Sequence, residues 1–200
     1  MNQEPSPSYE ELVAAATAGD FDRLRRLVAK GADVNSRNQY GGTVLCEVIC
    51  NTECHDGPLR MAIARELLSL GADPRKTDND GGGPISQAVL RMDTELLSLL
   101  MDAGAHPNHE TGWEPGRNAY DLAAEDYYVT TWIGGKDVPL GQEGLPEEPC
   151  ANDLVTHETW LAFLDRMAIK YGKRRPDHLF LMRERGARTS KELTEAAQRT

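Results

Sequence analysis

The stretch "LLSLGADP", Leu67 to Pro74, decides how the chain is read. A leucine pair leads to a glycine, an alanine and an acid, and nearly the same phrase occurs three more times. The other copies are "LVAKGADVN" (Leu27 to Asn35), "LLMDAGAHPN" (Leu99 to Asn108) and "LFLMRERGART" (Leu179 to Thr189). Their glycines, Gly31, Gly71, Gly104 and Gly186, stand 40, 33 and 82 residues apart. Each phrase reads as the end of a helix. Leu67 and Leu68 are expected to face a core, and the glycine supplies the left-handed backbone that stops the helix. Self-similarity at this period settles the architecture before any other feature does.

A second phrase follows each glycine. "TVLCEV" (Thr43 to Val48) begins 12 residues after Gly31, "GPISQA" (Gly83 to Ala88) 12 after Gly71, and "NAYDLA" (Asn118 to Ala123) 14 after Gly104. Each looks like a turn leading into a new helix. The 16 residues from Ala88 to Gly104, or from Ala15 to Gly31, hold two short helices and a tight turn. In these features the chain resembles the ankyrin repeat family, whose unit of about 33 residues is a β-turn and two antiparallel helices. The family's T-P-L-H-x-A phrase is degraded here, while its G-A-D/H phrase is well kept. The resemblance implies an all-α solenoid of about four helix–turn–helix units with projecting β-turn fingers.

The four units run over about 8–34, 35–73, 74–106 and 107–188 of a single domain spanning 1–200. Ser8 with Glu11, and Thr189 with Glu192, form capping-box patterns at the two ends. Residues 189–199 are expected to be a C-terminal capping helix, with Leu193, Ala196 and Ala197 on one face. Units two and four carry insertions between their helices. The first lies within "CNTECHDGPLR"; the second occupies about 125–175. In a stack of helical hairpins both fall on the edge opposite the fingers. Within the second, Trp160, Phe163, Leu164, Met167, Ala168 and Tyr171 recur at helical spacing. That stripe can pack on the array or form a partner-binding face.

Net charge is −10, which argues against a nucleic-acid ligand and permits a basic protein partner. Residues 121–158 hold one base against nine acids, whereas 159–200 hold ten bases against five acids. The acidic insertion and the longest finger therefore supply the candidate partner-binding residues. They are Trp113 and Glu114 in the finger, and Asp126, Tyr127, Tyr128, Trp132, Asp137, Glu143, Glu147 and Glu148 in the insertion. Aromatic anchors beside an acidic field suit capture of a basic surface. The other reading of the same residues is a solvated loop whose aromatics tuck onto the array.

No catalytic phrase is present, whether G-x-S-x-G, H-E-x-x-H or a phosphate loop. Cys46, Cys50, Cys54 and His55 invite a zinc reading, but their spacing is not C-x-x-C, and buried cysteine serves as a small apolar residue. Asp78 and Asp80 lack the spaced glutamate of a calcium loop. No metal or cofactor is expected. No apolar run reaches the roughly 18 residues of a membrane span, "MNQEPSPSYEE" is too polar for a secretory leader, and four cysteines are too few for a disulfide framework. A cytoplasmic setting fits. The resemblance implies a non-catalytic protein-binding module, a monomer in its heterocomplex. Within that class the chain looks like the ankyrin-type immunity proteins of bacterial toxin systems, with a basic toxin domain as partner. A scaffold or regulatory adaptor, and an enzyme completed by the insertion, are the alternatives.

Overall fold

In the computed structural model, which describes residues 8–50, 57–112, 116–134 and 144–199, all four copies of the repeated phrase end a helix in the same way. Gly31, Gly71, Gly104 and Gly186 have φ of 96°, 94°, 104° and 90°. The amide of the following alanine donates to the carbonyl five residues back: Ala32 to Leu27, Ala72 to Leu67, Ala105 to Leu100 and Ala187 to Met182, at 2.9–3.1 Å. This pattern satisfies carbonyls that a helix end leaves open. It also turns the chain back so that both the accepting residue and the alanine are buried. Leu67 is fully buried, whereas Leu68 is only partly so and packs at the core's margin.

The helices are α1 (Tyr9–Thr17), α2 (Phe21–Ala29), α3 (Val44–Cys50), α4 (Gly57–Ser69), α5 (Pro84–Leu90), α6 (Thr94–Asp102), α7 (Ala119–Tyr128), α8 (His157–Lys170), α9 (Asp177–Glu184) and α10 (Ser190–Ala197). The fold is all-α; among the described residues there are two isolated antiparallel bridges, Arg37 with Thr43 and Glu110 with Asn118, each closing the base of a finger. Helices α1, α3, α5 and α7 pack one on the next as an inner row, each backed by α2, α4, α6 or α9. One hydrophobic core runs the length of the stack, from Leu12 to Ala187.

Side chains lock neighbouring units at equivalent places. Asn35 donates to the Gly71 carbonyl at 2.9 Å and accepts from the Asp73 amide at 2.8 Å. Asn108 does the same with the Gly186 carbonyl (3.1 Å) and the Arg188 amide (2.7 Å). The same clamp operates over 36 residues in one case and 78 in the other, so α9 occupies the fourth outer position despite the insertion. Fingers are locked too: the Asn79 amide donates to the Tyr40 carbonyl at 2.9 Å. A Cβ on Gly81 would lie 2.4 Å from the backbone of Gly112, so the second and third fingers touch where only glycines fit.

Part of the first insertion is an extra helical turn, since α4 has 13 residues against nine in α2 and α6. The second begins as a π-helical turn, Val129–Ile133, continuing α7. After Gly144 the chain forms a short 3-10 turn, Ala151–Leu154, and then α8, which buries Leu161, Phe163, Leu164, Met167 and Ala168. The expected stripe therefore packs inward, with Leu161 added and Tyr171 left at the surface. Both expected capping boxes are formed. The α10 helix buries none of its own residues, and Leu193 remains 39% exposed. Its first turn holds it in place: Ser190 bonds Asp121, and Arg183 bonds Glu192 at 2.7 Å.

Candidate protein-recognition surface

The two middle helices of the inner row, α3 and α5, bury almost everything they have. In α3 the unburied residues are Glu47 and Cys50; in α5 they are Gln87 and Leu90. Both pairs are spaced i, i+3 and stand four and seven residues after the start of the turn phrase. Leu122 and Glu125 of α7 hold the corresponding positions and are likewise unburied. A stripe thus crosses the inner row, and residues three apart share one helix face. Leu90 on it is 41% exposed.

The fingers border this stripe. The first two tips are tied by a short polar side chain: Asn38 accepts from the Tyr40 and Gly42 amides, both at 2.9 Å. Asp78 accepts from the Asp80 and Gly82 amides at 3.0 and 2.7 Å. Asp78 is therefore a turn-builder, as short polar side chains often are. Such a tip projects the residue inside it, and Tyr40 is 69% exposed. Nothing in the repeat phrase marks Tyr40; its place in the "NQYGG" turn is the one available signal. Beside it, Asp80 is exposed and Asp78 half-buried, so the rim of the stripe is acidic.

The insertion residues fall into different places. Tyr127 and Trp132 are core residues, 0% and 2% exposed, which corrects their reading as surface anchors. The Tyr127 hydroxyl donates to the Arg174 carbonyl at 2.7 Å, and its ring lies 5.7 Å from that of His178. Burial of the phenol pushes its pKa upward. Tyr128 is half-buried against Trp160, ring centroids 6.3 Å apart. Asp126 is half-buried, and desolvation, helped by Glu125, raises its pKa. Glu147 pairs with Lys170 and accepts from the Tyr171 hydroxyl at 2.7 Å, contacts that lower its pKa. It serves as a strap onto α8, as does Asp153 with Arg166 at 2.7 Å. Glu148 is exposed. Trp113, Glu114, Asp137, Glu143, Cys54 and His55 lie outside the described residues.

Much of the acidic segment is thus matched to the basic one that follows it. Glu158 with Arg183 extends the pattern. The charge asymmetry along the sequence thus fastens an insertion to its own array. Among the described residues no group of three His, Cys, Asp or Glu side chains could hold a metal ion, and no helix is long and apolar enough to cross a membrane.

No family model matches the chain. It is 31% identical over 121 residues to the E3 ubiquitin-protein ligase KEG of Arabidopsis thaliana, covering 60% of this chain and 7% of that protein. It is 29% identical over 126 residues to a putative ankyrin repeat-containing protein of Treponema pallidum, 62% of this chain and 39% of the relative. It is 27% identical over 110 residues to the putative ankyrin repeat protein L371 of Acanthamoeba polyphaga mimivirus, 54% and 14%. The chain spans less than half the length of these curated relatives.

Proposed function

We propose that this ankyrin repeat protein is a non-catalytic module that binds another protein across the inner-helix stripe and the fingertips. We propose further that it acts as an immunity protein, neutralising a cognate bacterial toxin. One observation carries the binding reading: α3 and α5 leave unburied just the side chains that line up across the row. A rigid, pre-assembled surface loses little freedom on binding, which favours recognition over chemistry. Tyr40 supplies an aromatic anchor at the rim, and Trp113 and Glu114 of the next-but-one finger join it in this proposal. Glu47 and Asp80 give the surface an acidic character suited to a basic partner, while Glu125 is paired with Arg117. Glu148, exposed on the insertion, would add to the same field.

The test starts from the partner recovered by co-purification from the native cell and identified by mass spectrometry. Tyr40→Ala should weaken its binding by roughly tenfold or more, the range for an interface anchor, with helical circular dichroism unchanged. Glu47→Gln with Asp80→Asn should slow association most at low salt. Wild-type binding by all these variants would remove the stripe as the site. For the immunity role, a toxin-like reading frame adjacent to this gene should kill cells alone and spare them when this protein is co-expressed. Death in both cases would leave a binding module of the adaptor type.

A further inference from the structure

Unit three keeps a three-residue turn, Arg91 to Asp93, joining α5 to α6. A notch of about 680 Å³ opens at this turn. Three guanidinium groups from separate parts of the chain line it. Arg60 comes from α4, Arg91 from the turn itself, and Arg174 from the stretch between α8 and α9.

Each arginine is held by the fold. The Arg60 side chain is 8% exposed and lies 3.9 Å from Asp93 Oδ2. Arg91 donates through Nε to the Ile49 carbonyl at 3.0 Å and through Nη2 to the Cys50 carbonyl at 2.9 Å. Arg174 Nη2 donates to the Met92 carbonyl at 2.6 Å. A guanidinium carries five N–H donors, so these anchors fix Arg91 and Arg174 while leaving donors on each. The carbonyl that Arg174 grips belongs to Met92, whose φ of 50° is the one positive value at a non-glycine among the described residues. Backbone held in that region costs on the order of 1 kcal/mol or more and clusters at functional sites.

Two carboxylates also line the notch, and their roles differ. Asp93 caps α6, accepting from the Leu96 amide at 3.0 Å, and faces Arg60. Glu95 is exposed at the rim. Among the described residues three cations line the notch against two acids, and the N-terminal turn of α6, at Thr94, adds its partial positive charge. In a chain of net charge −10 this is a basic notch with pre-set donors.

We propose that the notch is an oxyanion-binding site that takes a phosphate or the carboxylates of an acidic protein segment. Leu90 of the recognition stripe also borders the notch, whereas Tyr40 does not line it, so Tyr40→Ala, which tests the stripe, should leave anion binding unchanged. The test is isothermal titration of the full chain, at low ionic strength, with inorganic phosphate and with tetraglutamate. At least one should bind at a single saturable site and raise the thermal midpoint. Arg174→Gln should weaken that binding roughly tenfold, the usual scale for a charge-assisted hydrogen bond. Glu95→Gln should strengthen it, which keeps the test open if the arginine variant folds poorly. Tighter phosphate assigns a small anion, and tighter tetraglutamate assigns an acidic partner segment. Binding of neither probe, or binding unchanged in both variants, overturns the site.

Discussion

Leu67 and Leu68 are adjacent and chemically identical, yet the fold spends them differently. Leu67 is fully buried and its carbonyl accepts the Ala72 amide that closes the helix; Leu68 stays partly exposed. Leu67→Ala should therefore cost about 2–5 kcal/mol, the range for a large-to-small change in a packed core. Leu68→Ala should cost distinctly less. Urea unfolding followed by circular dichroism measures both, and equal losses would contradict the difference in burial. The same period of four residues before each glycine selects Leu27, Leu100 and Met182, all buried. Residue identity in the repeat phrase is thus a packing instruction, and it is why those positions could be read without coordinates.

At the scale of elements, the helix ends, both capping boxes and the hairpin spacing were legible because each is decided within a few residues of chain. The inward stripe of α8 was legible for the same reason: its period lies within one helix. Tyr127 and Trp132 were not. Tyr127 is buried against His178 and the Arg174 carbonyl, the latter 47 residues further on, and the segment that it and Trp132 start has no period to say which way they face. Glu147 misled in the same way, because its partner Lys170 sits on a helix the sequence could place but not orient. The resulting element is fastened on its inner side by Phe163, Leu164 and Met167 and on its outer side by ion pairs. Exposed ion pairs contribute little, so the apolar side should carry the attachment. Phe163→Ala should cost about 3–5 kcal/mol. Because a solenoid couples chiefly neighbouring units, amide hydrogen exchange should speed up first in α7, α8 and α9 while α1 to α4 remain protected. Uniform loss of protection from α1 to α9 would show an array that unfolds only as a whole.

For the whole molecule, the seam between insertion and array sets a dependence on pH. His178 is 1% exposed between the insertion's root and unit four, and its Nε2 has no hydrogen-bond partner. Burial, and then the charge of Arg174, lower its pKa from 6.5 to about 4. Facing it are the Tyr127 phenol, itself hard to ionise, and the Ala123 carbonyl; Asp165 and Asp177 act on that phenol from α8 and α9. His157, bonded to the Tyr120 hydroxyl at 2.8 Å, is lowered as well by burial and by Arg183. Between the unfolded and folded values the unfolded chain binds the proton and the folded one does not, so stability rises with pH there. Stability is therefore fully present above about pH 6.5 and declines as pH falls toward 4, by about 3 kcal/mol for His178 alone. Asp126, whose pKa is raised by burial, works in the opposite direction and offsets part of the loss. Urea unfolding at pH 7.5, 6, 5 and 4 should show this decline, and His178→Gln should flatten it while leaving an amide able to reach the Ala123 carbonyl. If the variant keeps the wild-type slope, the proton is taken up elsewhere and His178 is not what ties the insertion's attachment to pH.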